Sequence, residues 1–169
     1  MQFEPAPSAP AGSLVIGIGN PLRGDDAVGW QLADALGEPH LALHQLTPEC
    51  AERLAACRRV LFIDAWIEAQ DAQPDVEPGP VLRHLNPAPA AAAPGLHHHL
   101  EPTVLLWITE QLYGHTPEAW QLLIPATQLG HCETFSPALQ ALLPQAQALL
   151  HRWLEPNGAS LAIEGIGRA

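Results

Sequence analysis

The segment Leu14-Val15-Ile16-Gly17-Ile18-Gly19-Asn20-Pro21-Leu22-Arg23-Gly24-Asp25-Asp26-Ala27-Val28-Gly29-Trp30 leaves the chain few ways to fold. An apolar run meets Gly17 and Gly19 and turns at Asn20-Pro21. Two acids follow, then apolar residues at 28, 32 and 35–36, the spacing of a helix face. The pattern reads as strand, tight loop, helix. Leu14–Ile18 is apolar on both faces, as in a parallel strand covered by helices on both sides. In an open α/β sheet ligands bind outside the carboxyl ends of the strands, so Asp25 and Asp26 stand on the edge where chemistry is expected. An acid at a helix start is commonly a cap or a first-turn charge, and Asp25 is assigned that role. Asp26 is then free for other work.

The chain has 169 residues, 47% of them hydrophobic, enough for one buried core and short for two. A single domain over residues 1–169 is expected, with 1–12 and 156–169 peripheral because they carry prolines or glycines and no periodic pattern. Eighteen acids face seven arginines and no lysine, for a net charge of -11. That balance argues against nucleic acid and anionic membranes as partners. The missing lysine removes P-loop, Schiff-base and Ser-Lys chemistry. Gly17-Ile18-Gly19 is no dinucleotide fingerprint, because Leu22 stands where the third glycine belongs and two acids would repel a pyrophosphate. Cys50, Cys57 and Cys132 lack the paired spacing of a disulfide framework or zinc site. No run approaches the length of a membrane span, and no basic-then-apolar leader opens the chain, so a cytoplasmic protein is expected.

Further along, Leu41–Leu46 reads as a second strand and Thr47-Pro48-Glu49 as the opening of a helix reaching about Cys57, with Cys50, Leu54 and Cys57 on one face. Val60–Ala65 is a third strand in which four apolar residues run into Asp64. A carboxylate there sits beside the carboxyl end of the first strand. Residues 68–78 are polar, with no helical period for a crossover, so Gly79–Leu85 is expected to return antiparallel. An Ala/Pro-rich loop follows, then His97-His98-His99-Leu100 ahead of a helix over Thr103–Tyr113. Trp120–Ile124 is the last strand. Ser136-Pro137 starts a final helix, apolar at 139, 142, 143, 146, 149, 150 and 153 and running to Leu154. Strands alternating with helices give a three-layer α/β/α sandwich with a five-stranded, mostly parallel sheet and one antiparallel strand.

Asp26, Asp64 and a histidine of the 97–99 run thus converge on one sheet edge. Two carboxylates and an imidazole suit an open site for zinc, nickel or iron. They equally suit general acid/base attack of water on an amide. Spacing does not choose between the two.

Gly17-Ile18-Gly19-Asn20-Pro21-Leu22-Arg23-Gly24-Asp25-Asp26-Ala27-Val28-Gly29 resembles the opening motif of the nickel-iron hydrogenase maturation proteases, with Ala27 where glycine is usual. Leu61-Phe62-Ile63-Asp64-Ala65 resembles their second acidic motif. His98-His99-Leu100 with Pro102 and Leu105-Leu106 resembles their histidine motif, and Phe135-Ser136-Pro137-Ala138-Leu139 with Ala146 the start of their last helix. The resemblance implies the same α/β fold and an endopeptidase, grouped with aspartic-type peptidases, that trims the C-terminal extension of the hydrogenase large-subunit precursor. It implies that Asp26, Asp64 and His98 engage nickel, or another divalent metal in its place, with Asp26 and Asp64 as catalytic residues. His98 is chosen because it lies two residues before Leu100; a shifted loop would substitute His97 or His99. The nickel is carried by the substrate, the expected partner is that precursor, and the protein is expected to be a monomer. A nickel-binding chaperone or metal-delivery protein would use the same ligands without cleavage. Leu46-Thr47-Pro48-Glu49 stands where many members carry a Gly-Gly-Thr turn thought to select the hydrogenase subtype.

Overall fold

The computed structural model describes residues 11–37, 39–66, 79–90 and 100–155. Its sheet has strands β1 (Ser13–Ile18), β2 (His40–Leu43), β3 (Arg59–Trp66), β4 (Val81–Leu85) and β5 (Glu118–Pro125), in spatial order β2-β1-β3-β5-β4. β2, β1, β3 and β5 are mutually parallel, and β4 pairs antiparallel with β5. The helices are α1 (Val28–Asp34), α2 (Cys50–Ala55), α3 (Pro102–Tyr113) and α4 (Pro137–Leu154). This is the three-layer α/β/α sandwich expected from the pattern, with the antiparallel strand in the expected place.

Strand side chains alternate between faces, and the alternation sorts the core into two layers. Val15, Leu61, Ile63, Trp120 and Leu122 point toward α1 and α4, where they meet Val28, Leu32, Leu139, Leu143, Leu150 and Trp153. Ile16, Val60, Phe62, Leu85 and Ala119 point the other way, onto Cys50, Leu54, Leu105 and Leu106 of α2 and α3. The stripe read along α4 is the buried one, with Leu139, Leu143, Ala146, Leu150 and Trp153 all covered. Ser136 caps it, accepting a hydrogen bond from Leu139 N through its hydroxyl at 3.1 Å.

Several boundaries depart from the sequence reading. The expected helix from Asp25 begins as a 3-10 turn, Gly24–Ala27, before α1 proper. Here Gly24 N donates to Cys132 O, and Asp25 N to Gln128 O, so tertiary bonds tighten the first turn. β2 stops at Leu43 and not at Leu46, because Leu43 faces the last residue of β1, Ile18, and its carbonyl then takes Gly19 N. Thr47–Glu49 forms the turn into α2 instead of its first turn, with Cys50 N bonded to Thr47 O and Ala51 N to Pro48 O. α2 ends at Ala55, and Cys57 lies just past it, half-buried with its thiol on Leu54 O.

What positions the future site is backbone contact between layers. A Cβ on Gly29, in the first turn of α1, would collide with the carbonyl oxygens of Ile18 and Ile63, which end the buried stretches of β1 and β3. Helix and strands therefore touch main chain to main chain. Overpacking at such a point has no flexible side chain to absorb it. Gly29→Ala is expected to cost on the order of 3 kcal/mol, read as a lower urea midpoint. An unchanged midpoint would mean that α1 can move off the sheet freely.

Candidate functional site

The site begins where β1 runs out. Gly19 has φ +144°, and a Cβ there would strike the carbonyl of Asp26, so the loop doubles back onto the 3-10 turn only because residue 19 is glycine. Asn20 organises the bend, its side-chain oxygen accepting from Leu22 N at 3.0 Å and its carbonyl from Arg23 N at 3.0 Å. Asn20 N in turn donates to Asp26 Oδ2 at 3.1 Å, which fixes that carboxylate against the loop.

The neighbouring acids divide. Asp25 is fully buried and accepts from Ser136 N (2.7 Å), Ser136 Oγ (2.8 Å), Thr127 N (2.9 Å) and Gln128 N (2.9 Å). It does not cap its own helix, as the sequence suggested, but staples the 3-10 turn to the end of β5 and the start of α4. Burial alone would push its carboxyl up; the bonds from Ser136, Thr127 and Gln128 outweigh that and hold it below the ordinary carboxylate value. Asp26 is partly exposed and faces a cleft of about 600 Å³ at the carboxyl edge of the sheet. Asp64, on β3, lines the same cleft. The two acids named from sequence are thereby brought together from positions 38 residues apart.

Asp64 is the most perturbed group there. Burial comes first, with the charges of Asp26 and Glu101 adding to it and a hydrogen bond from the Ala65 backbone opposing, and its carboxyl is pushed up to about 7. A carboxyl poised there can hold or release a proton at neutral pH. Its repulsion by neighbouring acids also makes the pair receptive to a cation.

His97, His98 and His99 lie outside the described residues, so the histidine assignment rests on sequence. Their neighbours Leu100, Glu101 and Pro102 do line the cleft. Among the described residues no three His, Cys, Asp or Glu side chains gather closely enough to hold a metal. The donor chemistry fits a hard or borderline divalent ion that has other ligands of its own. Sequence reasoning missed Arg23, His44, Trp66 and Glu101, which also line the cleft. His44 follows β2 at its carboxyl end, so the rule that singled out Asp64 applies to it as well. Glu101 precedes a proline at a helix start without capping it, a signal that its carboxylate is free for other contacts.

Together these features define a class: a doubly covered, mostly parallel sheet with a two-carboxylate cleft at its strand ends. Solved structures of that class match most of the chain. No family model matches the sequence, and no curated protein does. The NiFe hydrogenase maturation protease HycI from Thermococcus kodakarensis KOD1 superposes with a TM-score of 0.58 at 20% identity, over 85% of this chain and 92% of that one. The hydrogenase maturating endopeptidase HybD from E. coli gives 0.58 at 18% identity, over 90% and 93%. The hydrogenase 2 maturation peptidase from Thaumarchaeota archaeon SCGC_AB-539-E09 gives 0.54 at 18%, over 82% and 94%. The chain therefore has the α/β fold of the NiFe hydrogenase maturation proteases.

The staple at Asp25 gives a pH test. Its carboxyl titrates lower when folded than unfolded, so its contribution is present above the unfolded value, roughly 4, and is lost as pH falls through the folded one. Asp25→Asn puts an amide against the donors of Ser136, Thr127 and Gln128 and is expected to cost on the order of 3 kcal/mol at pH 7. The variant's chemical-denaturation midpoint should also fall less than the wild type's between pH 5 and pH 3. Parallel pH profiles would contradict this assignment.

Proposed function

We propose that this chain is an endopeptidase that removes the C-terminal extension from a NiFe hydrogenase large-subunit precursor after nickel has been inserted. The single observation that carries the reading is the meeting of Asp26 and Asp64 in one cleft, on a fold shared with the maturation proteases. The precursor presents nickel that it already holds. Asp26 and Asp64, with His98 as the third ligand, engage that ion, which is part of the substrate and not a resident cofactor. A divalent charge between Asp26 and Asp64 turns their repulsion into attraction and draws the proton off Asp64.

Recognition through the metal makes insertion a precondition for cleavage. A precursor without nickel offers the acidic cleft nothing to offset the desolvation of its carboxylates. Once the ion is engaged, the adjoining peptide bond is held in the cleft, and effective concentration takes the place of a long specificity groove. Asp64, left as a carboxylate by the ion, is the side chain suited to take a proton from the water that attacks the amide. Asp26, anchored by the Asn20 amide, keeps its position relative to Asp64 during that exchange. The acid-rich surface that argues against nucleic acid is compatible with a protein partner bearing a cation.

Incubation of nickel-loaded precursor with the wild-type chain should release the extension, seen by intact-mass spectrometry. Asp26→Ala and Asp64→Ala should each slow release by about 100-fold or more, and omission of nickel should abolish it. A double variant Asp26→Ala/Asp64→Ala that processes at the normal rate contradicts the proposal. Nickel-dependent binding of precursor by the wild type without cleavage would identify a metal-delivery protein instead.

A further inference from the structure

The strand register places more than Asp64 on the α2/α3 side of the sheet. Phe62, Gln121 and Arg83 stand in one row across β3, β5 and β4, and Asp64, Leu123 and Val81 in the next. Trp66 follows two residues beyond Asp64, on the same face. α3 starts at Pro102 and covers the deeper part of this face, where Phe62, Leu85 and Ala119 pack under Leu105 and Leu106. Toward the strand ends the same face opens into a second cleft, of about 350 Å³, lined by Trp66, Val81, Arg83, Gln121 and Leu123. Asp64, Ala65, Trp66 and Glu101 belong to both clefts, so the two form one continuous groove.

Two properties of this extension call for a ligand. Trp66 is 37% exposed and Val81 46% exposed, side by side with Leu123, where a strand end would ordinarily be polar. Arg83 is the cation of this cleft, and its Nε and Nη2 both donate to Oε1 of Gln121, at 3.1 and 2.8 Å. Gln121 is only 4% exposed. A buried amide in an interior strand is thus committed to aiming a guanidinium, through a neutral acceptor and not an acid. Among the described residues, three of the five Arg83 N–H donors have no hydrogen-bond partner. In a chain with 18 acids and seven arginines, a cation held in this way stands out against its surroundings.

We infer that this second cleft is a substrate subsite, taking an apolar residue of the precursor peptide against Trp66, Val81 and Leu123 and a peptide carboxylate on Arg83. The assignment rests on the processing reading and extends it by naming what the peptide must carry beside the scissile bond. Charge fixes the register. The first cleft sets Arg23 against Asp26, Asp64 and Glu101, whereas in the second Arg83 faces only the two acids that both clefts share, so an acid is better placed on Arg83 while the cationic end of the substrate lies between Asp26 and Asp64. The carboxylate is either an Asp or Glu side chain or the chain-terminal group, since the fork of a guanidinium accepts both.

The test uses a fluorescein-labelled synthetic peptide spanning the cleavage region and C-terminal extension of a hydrogenase large-subunit precursor from the same organism. Its affinity is read by anisotropy with the full-length wild type, Arg83→Gln and Arg83→Lys, each confirmed folded by its thermal unfolding midpoint. Arg83→Gln should weaken binding about tenfold, with partial recovery in Arg83→Lys. A peptide with its acidic side chains amidated, or one with a terminal carboxamide, should bind the wild type about as weakly as the native peptide binds Arg83→Gln. Whichever modification does so identifies the carboxylate. Equal affinity of wild type and Arg83→Gln, or no binding by the wild type, overturns the subsite. In the processing assay Arg83→Gln should raise KM about tenfold and change kcat by less than about twofold. Normal cleavage with an unchanged KM refutes the subsite and leaves the processing role standing. Arg83-dependent peptide binding without cleavage of nickel-loaded precursor does the reverse.

Discussion

Close approach of main chain to main chain at Gly17, Gly19 and Gly29 is the constraint on which the remaining geometry hangs. A side chain at 17 would meet the Gly29 carbonyl, one at 19 the Asp26 carbonyl, and one at 29 the carbonyls of Ile18 and Ile63. α1 consequently sits about as low on the carboxyl ends of β1 and β3 as a helix can. That depth sets where the 3-10 turn before it falls, and with it which cleft Asp26 faces. Were α1 lifted by the thickness of a methyl group, the loop from Asn20 to Arg23 would have to lengthen its reach, and the Asn20 amide would leave Asp26. Glycines that look like a phosphate-binding signature here serve to lower a helix, and the acids after them occupy the place a phosphate would take.

Two adjacent acids with opposite fates show how environment, and not residue type, assigns a role. Asp25 enters the interior with hydrogen bonds from Ser136, Thr127 and Gln128 and becomes a structural anion that ties the turn before α1 to β5 and α4. Asp64 is also largely withdrawn from water, but among the described residues its compensation is a single backbone hydrogen bond, with acids nearby. Burial pushes both carboxyls up, but the hydrogen bonds bring that of Asp25 below its ordinary value while that of Asp64 stays raised. A raised carboxyl costs folding stability whenever it is ionised in the folded state. Such a cost at a cleft edge is the usual mark of a site kept for function at the expense of stability. The same logic applies to the exposed Trp66 and Val81, and to a buried Gln121 whose carbonyl is committed to Arg83.

The sheet was legible because its strands are short apolar runs bounded by glycine, proline and polar clusters, and because residues 68–78 carry no helical period. That pattern dictated both the parallel strands and the reversal at β4. The placement of Asp26 and Asp64 at the carboxyl edge of the sheet was legible as well, since one lies in the turn between β1 and α1 and the other where the apolar run of β3 ends. Boundaries set by tertiary bonds were not: nothing local announces that Gly24 and Asp25 will bond to Cys132 and Gln128, or that β2 loses its partner at Leu43. The role of Asp25 was misread for the same reason, because its donors on Thr127, Gln128 and Ser136 come from positions more than 100 residues away. Arg83 and Gln121 stayed invisible for another, since their pairing exists only once β4 and β5 are placed in register. The histidine run lies outside the described residues, and its reading still stands on sequence.

The shared cleft is electrostatic at heart: Asp64 lies close enough to Asp26 to feel its charge, in a place where water is partly excluded. It is tested most directly by following the side-chain carboxyl carbons of the aspartates by NMR as pH is raised, in the metal-free wild type and in Asp26→Asn. Asp64 should titrate near 7 in the wild type and at a lower pH in the variant. Titration of Asp64 at the ordinary aspartate value of roughly 4, unchanged by Asp26→Asn, would contradict the shared cleft and the chemistry built on it.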